Sequence, residues 1–187
     1  VLKIDSPGGM VDGLTAVVEA VNQLAEKTLV VASIVGGGLS AAYRIASQAG
    51  SIWASSDSEI GSIGTYWQML DVSKAYAEAG IRSVLLTTGP YKGVGAAGEA
   101  ITADQEAFLQ SKVNEWNARF LADVASGRSM SEESVAAVAD GRWWSATDAV
   151  GLGLVDQIGS MDQVLEAIRA QKGESMGKQT LQPATAA

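Results

Sequence analysis

Leu29 to Val35 is a short run, apolar but for Ser33 and rich in β-branched residues, that stops at Gly36-Gly37-Gly38. Such a run suits a strand covered on both faces, and strands of that kind belong to parallel sheets flanked by crossover helices. The segments around it fit the same arrangement. Leu2 to Ile4 reads as a strand, Ser6-Pro7-Gly8-Gly9 breaks it, and Met10, Leu14, Val17, Val18, Val21 and Leu24 follow at helical spacing. Beyond the three glycines a short helix is predicted from Ser40 to about Gln48. A strand at Ser51 to Ala54 and a glycine-punctuated loop from Glu59 to Gly64 come next. The alternation predicts an α/β fold, a mostly parallel sheet with crossover helices.

The rest of the chain continues the pattern. Val72 to Ala79 reads as a helix ended by Gly80, and Ser83 to Thr88 as a strand. Gly89 to Ala100 is a Gly- and Ala-rich loop around Tyr91 and Lys92 that is long for a mere connection. Thr102-Ala103-Asp104-Gln105 has the form of a capping box. It opens the longest predicted helix, with an apolar stripe of Phe108, Leu109, Val113, Trp116, Phe120, Leu121 and Val124 running towards Gly127. Ser145-Ala146-Thr147-Asp148 and Ser160-Met161-Asp162-Gln163 repeat the capping pattern on either side of a predicted strand at Leu154 to Gln157. One domain is expected over residues 1–172. The unpatterned, polar stretch 173–187 is expected to be a disordered tail. The opening Val1-Leu2-Lys3-Ile4-Asp5 has no initiator Met and starts on a strand, as expected of a domain cut from a longer protein and lacking its N-terminal part.

Composition narrows the chemistry sharply. Histidine and cysteine are both absent from the 187 residues. Ser-His-Asp triads, His- or Cys-ligated metal, disulfides and thiol nucleophiles are thereby excluded, and proton transfer falls to Lys, Tyr or a carboxylate. No metal or cofactor is called for. A net charge of -8 with scattered Lys and Arg speaks against nucleic acid as a partner. No apolar run approaches the roughly 20 residues needed to cross a bilayer.

Ser40 stands directly after the glycine turn and before a helical stretch, where its oxygen would be exposed and the amides of Ala41 and Ala42 would face an anion. A serine there also suits an N-cap. Lys92 is the one charged residue between Gly89 and Gly98; it reads either as a solvated lysine or as one of the few groups able to take a proton from a serine. For the second role the amine must be neutral, which burial achieves. In Asp5-Ser6-Pro7-Gly8-Gly9, the glycines would let backbone amides face an oxyanion, although a plain turn looks the same. Asp5 could be a catalytic acid, but beside a turn it better suits a hydrogen bond to backbone amides. A rival reading is the dinucleotide fingerprint in Gly36-Gly37-Gly38-Leu39-Ser40-Ala41, with Asp57 some 20 residues on. It leaves the Gly8-Gly9 turn and the Lys92 loop unexplained. Trp67, Trp116, Trp143 and Trp144 are assigned to packing.

Together, five segments resemble the signal peptide peptidase A family of serine peptidases. They are Asp5 to Gly9, Leu39 to Ala46, Glu59 to Gly64, Gly89-Pro90-Tyr91-Lys92, and Gly151 to Asp156. The resemblance implies a fold like that of the Clp protease and crotonase superfamily, a peptide or protein substrate, and a Ser-Lys dyad. Ser40 would be the nucleophile, Lys92 the general base and Ser62 the residue holding the lysine amine. The oxyanion hole would come from the amides of Gly8 or Gly9 and of Ala41. Ser40-Ala41-Ala42, in place of the Ser-Gly-Gly of many cellular members, looks like the phage and prophage branch that matures capsids. The resemblance further implies a homo-oligomeric ring or dome, capsid or scaffold proteins as partners, and a cytoplasmic place in a phage-infected or prophage-bearing bacterium. An envelope location would follow if a membrane anchor preceded Val1. Two other functions stay open at this point: a non-catalytic phage scaffold or assembly protein, and a nucleotide or acyl-CoA binding domain.

Overall fold

A computed structural model describes residues 1–179. The described residues divide into two compact units, one formed by 1–64 with 120–179, the other by 65–119. Sequence patterning anticipates a single domain and carries no mark of this division.

The first unit holds every strand among the described residues: β1 (Leu2–Ser6), β2 (Val31–Leu39), β3 (Ser51–Ala54), β4 (Glu59–Gly61), β5 (Trp143–Ser145) and β6 (Gln157–Ile158). β2 is central. β1 lies along one edge, while β3 and then β4 share the other; all three pair with β2 in parallel. β6 extends the sheet beside β3 in parallel, and β5 closes it antiparallel to β4. The result is the mixed α/β fold expected, with a curled, mostly parallel sheet.

Helices cover this sheet because their apolar positions recur at helical spacing. α1 (Leu14–Ala25) buries Leu14, Val18 and Val21, and α2 (Ala41–Ala46) is buried over nearly its whole length. α4 (Ala103–Arg128) supplies Phe120 and Val124 to the same unit; α5 (Glu132–Val138) adds Val135 and Val138, and α6 (Ala146–Gly151) adds Ala146 and Ala149. Ala32, Ile34, Tyr43, Ile52, Ile60, Ile63 and Leu154 form the core. Burial pushes the Tyr43 phenol well above its ordinary pKa, with the Arg128 charge opposing and Asp156 adding to the rise. The neutral hydroxyl donates to the Leu154 carbonyl at 2.9 Å.

All three capping segments that the sequence predicts form, two as reciprocal boxes and one as a single N-cap. Thr102 and Gln105 bond reciprocally at the start of α4, Ser145 accepts from the Asp148 amide, and Ser160 and Gln163 bond reciprocally at the start of α7 (Met161–Gln179). α7 runs through Gly173, where a tail was expected to begin; residues 180–187 of that expected tail lie outside the described residues.

Other expectations change. Gly36-Gly37-Gly38 does not end the central strand but lies within it, because β1 and β4 both pair there. Glu59 to Gly61 is a short strand rather than loop, stabilised by an antiparallel partner some 80 residues away in sequence. The strand expected at Leu154 to Gln157 begins only at Gln157, since the amides of Leu154 and Val155 bond back to the Ala149 carbonyl and finish α6 instead.

The second unit contains α3 (Ser73–Glu78), the first two-thirds of α4 and otherwise irregular chain. Ser83 to Thr88 forms no strand: no ladder partner for it exists within its own unit. Trp67 and Trp116 pack with ring centroids 5.5 Å apart, and Tyr91 lies 5.0 Å from Phe108.

Candidate active site

β2 ends at Leu39 and α2 starts at Ala41, so the reversal of direction falls on Ser40 alone. Its backbone takes φ 52° and ψ -123°, a conformation that side-chain-bearing residues seldom adopt. Ser40 occupies the N-cap position of α2, yet its side chain makes no capping bond, and it lacks the extended backbone typical of a capping serine. Its amide donates to the Gly61 carbonyl at 2.7 Å. This fixes the turn without using the hydroxyl.

The end of β1 comes close to the same point. Gly8 has φ 112°, and a Cβ placed on it would stand 2.7 Å from the Ser40 Cβ and 3.2 Å from the Ala41 nitrogen. Only glycine fits there. The two candidate glycines differ in what their amides do. Gly8 donates to the Ser6 hydroxyl at 3.2 Å, whereas the Gly9 amide has no acceptor among the described residues and is exposed. Ala41 is the first helical residue, whose amide precedes the intrahelical ladder. The Gly9 and Ala41 amides are thus left without an intrachain partner among the described residues, and Gly8 supplies the clearance.

Ser62 joins this cluster through the backbone. It directly follows Gly61, the acceptor for the Ser40 amide. It also has positive φ, 49°, and donates its own amide to the Arg142 carbonyl at 2.9 Å. Trp144 packs beside Gly61, where a Cβ would stand 3.1 Å from its indole, and Arg142 lies over its ring. Packing is the role expected of Trp144, while Trp143 is exposed.

Lys92 belongs to the second unit. Its amide donates to the Gly89 carbonyl at 3.1 Å and its carbonyl accepts from the Thr87 hydroxyl at 2.9 Å, which fixes the backbone of the Gly89 to Lys92 turn. Gln105 adds a bond to the Pro90 carbonyl. The side chain is exposed. It borders a small hollow of about 190 Å³ shared with Leu85, Val94 and Glu99. The burial that a neutral lysine needs is not provided there.

Asp5 makes the expected bond to backbone: its Oδ1 accepts from the Gly37 amide at 3.0 Å. Asp156, in the last of the five sequence segments, is structural. It accepts from the Ile52 amide at 2.6 Å and pairs with Arg128. The glycines of the dinucleotide fingerprint lie inside β2 rather than in a strand-to-helix loop, and the helix that follows has only six residues. That argues against the nucleotide reading.

A sequence profile of peptidase family S49 matches residues 9–175. The chain belongs to peptidase family S49. Among relatives, a protease-named protein of Methanocaldococcus jannaschii is 31% identical over 167 residues, 89% of this chain and 54% of the relative. The chloroplastic serine protease SPPA of Arabidopsis thaliana is 31% identical over 173 residues, 92% of this chain and 25% of the relative. Protease 4 of Salmonella typhi is 29% identical over 166 residues, 88% and 27%. The S49 chain therefore spans about half the length of the first and about a quarter of the other two. In fold it is similar to a peptidase from Plasmodium falciparum, with a TM-score of 0.50 at 13% identity over 85% of this chain and 75% of that one. Among the described residues no helix of this S49 chain is long and apolar enough to cross a membrane.

Proposed function

We propose that this S49 chain is a serine endopeptidase in which Ser40 is the nucleophile and Lys92 the general base. The observation that carries the reading is the strained turn at Ser40, held by its amide while the hydroxyl stays uncommitted, with the Gly8 backbone against it. In the proposed reaction the Ser40 Oγ attacks the scissile carbonyl carbon and its proton passes to the neutral Lys92 amine. The carbonyl oxygen gains negative charge and is held by the Gly9 and Ala41 amides. Collapse breaks the C–N bond, and the lysine ammonium gives its proton to the leaving amine. Water, deprotonated by the same amine, then releases the acyl group and restores Ser40. Ser62 would orient the amine.

The exposed Lys92 fits this scheme if its loop is covered in an assembly, and a homo-oligomer is the proposed source of that cover. Peptides with small or aliphatic residues at the cleaved bond are the proposed substrates. The sequence Ser40-Ala41-Ala42, through its resemblance to the phage and prophage form, is the ground for proposing the capsid-maturation branch, with scaffold or capsid proteins of a bacterial cytoplasm as substrates and partners.

The test is peptide or casein hydrolysis by the purified oligomer across pH 6 to 10, comparing the parent with Ser40→Ala and Lys92→Ala. Both substitutions should lower kcat by at least about 1,000-fold. The acidic limb of the parent profile should report loss of the base. Cleavage that survives either change removes that residue from the dyad. A parent oligomer that never cleaves favours a non-catalytic assembly protein.

A further inference from the structure

Asp5 takes no part in the proton transfers above, yet it sits at a break in the ladder of the central sheet. β1 and β2 pair at Ile4 with Ile34 and next at Ser6 with Gly38. From Ile4 to Ser6 β1 advances two residues, while from Ile34 to Gly38 β2 advances four. The surplus on β2 is absorbed across Val35, Gly36 and Gly37. Asp5 lies at this irregularity, where its carboxylate accepts from the Gly37 amide.

The glycines are matched to that carboxylate. A Cβ on Gly36 would collide with the Asp5 side chain, and the three nearest atoms to it all belong to Asp5. A Cβ on Gly37 would press on the Ser6 carbonyl oxygen at 3.1 Å. Bare backbone on β2 therefore admits the carboxylate, and the charge-assisted bond to Gly37 pins the slipped register. Three residues beyond Asp5 and Gly37, past the ends of β1 and β2, stand Gly8 and Ser40, so close that a Cβ on Gly8 would lie 2.7 Å from the Ser40 Cβ. A register shift on this scale moves one strand past the other by several ångström per residue, far more than an oxyanion site tolerates.

We propose that Asp5 is a positioning residue for the oxyanion site: by holding the Gly37 amide it fixes the slip between β1 and β2 that sets the Gly8-Gly9 backbone against Ser40 and Ala41. This rests on the reading of Ser40 as nucleophile. Asp5 touches no reacting atom and acts through the backbone of both strands.

The experiment measures kcat and KM on a fluorogenic peptide with small aliphatic residues before the cleaved bond, with thermal melting of each variant and Ser40→Ala as the blank. Asp5→Ala should lower kcat by about 10- to 100-fold with KM within about threefold. Asp5→Asn keeps an acceptor oxygen and should recover most of the loss. Gly36→Ala should resemble Asp5→Ala, because the new methyl expels the carboxylate. The double variant should be no worse than either single one, since the three atoms nearest the new methyl all belong to the carboxylate that Asp5→Ala removes. Parental kcat in Asp5→Ala, a multiplicative loss in the double variant, or failure of Asn to rescue would each overturn the positioning role while Ser40→Ala stays inactive. Activity in Ser40→Ala would instead overturn the nucleophile assignment, and the proposal with it.

Discussion

The Ser40 turn and the Lys92 loop carry the two halves of one proposed reaction, but they are built to different standards. Around Ser40 every constraint comes from its own unit: the Gly61 carbonyl, the close approach of Gly8, and a helix whose first residues are buried. Around Lys92 the backbone is tied into a turn while the side chain and many apolar neighbours remain exposed. Orientation of amides and hydroxyl can be fixed inside one fold in advance of substrate. Lowering the proton affinity of a lysine needs a dry environment, and the second unit has too little core to supply one. The Ser40 turn is fixed within its own unit, whereas Lys92, as the proposed base, would depend on cover from elsewhere.

The largest expected effect comes from removing the strain together with the hydroxyl. Ser40→Gly should abolish hydrolysis, a loss of at least about 1,000-fold, as Ser40→Ala does. The two should part in stability. Glycine accepts φ 52° readily and alanine does not, so Ser40→Gly should be more stable than Ser40→Ala by about 1–2 kcal/mol in urea unfolding. Equal stability would mean that the turn stores no strain.

Next comes the tie between Arg128 and Asp156. The largely covered Arg128 side chain donates to both the Gly153 carbonyl and the Asp156 carboxylate, and Asp156 in turn accepts from the amide of β3. Partial burial pushes the Asp156 carboxyl up, but the bonds from Arg128 and the Ile52 amide, with the Arg128 charge, outweigh it and hold the carboxyl below its ordinary value. A lowered carboxyl stabilises the fold above the unfolded value of about 4, and that contribution is lost as pH falls through the folded value. Arg128→Ala should cost about 2 kcal/mol at pH 7, kept modest because Asp156 is partly exposed and screened. The gap to the parent should narrow below about pH 4. A constant gap down to pH 2 would mean that packing of the Arg128 stem, not the ion pair, holds this corner of the first unit.

What could be read from the sequence divides along similar lines. The capping segments at Thr102, Ser145 and Ser160 are decided within four residues, so local spacing predicts them. The glycine turn, Ser40 and Asp5 stand out because a strand-to-helix reversal needs those residue types. The reason for Gly36-Gly37-Gly38 is invisible locally, since it is the Asp5 carboxylate and the Ser6 backbone arriving from a strand 30 residues earlier. β4 is hidden for the same reason, because its partner at Trp143 to Ser145 is remote. Ser83 to Thr88 has strand composition, but composition does not supply a partner, and the structure leaves it unpaired within its unit. The link between Ser40 and Ser62 runs through the Gly61 carbonyl, which no side-chain motif records.

The smallest expected effect tests that unpaired segment. Leu86 is 90% exposed, and Val84 and Ile81 beside it are exposed as well. An exposed leucine on irregular chain contributes almost nothing to folding, so Leu86→Ser should change unfolding free energy by less than about 0.5 kcal/mol. The proper control is protein concentration, because cover by a second copy would make any loss vary with it. A loss above about 1 kcal/mol that grows with concentration would place a partner surface on the Lys92 half of the molecule. The difference between the two regions would then belong to the separate chain alone, and the dry environment that the lysine needs would have a physical source. A negligible effect at every concentration would mean that the proposed cover of the Lys92 loop rests on residues other than Leu86.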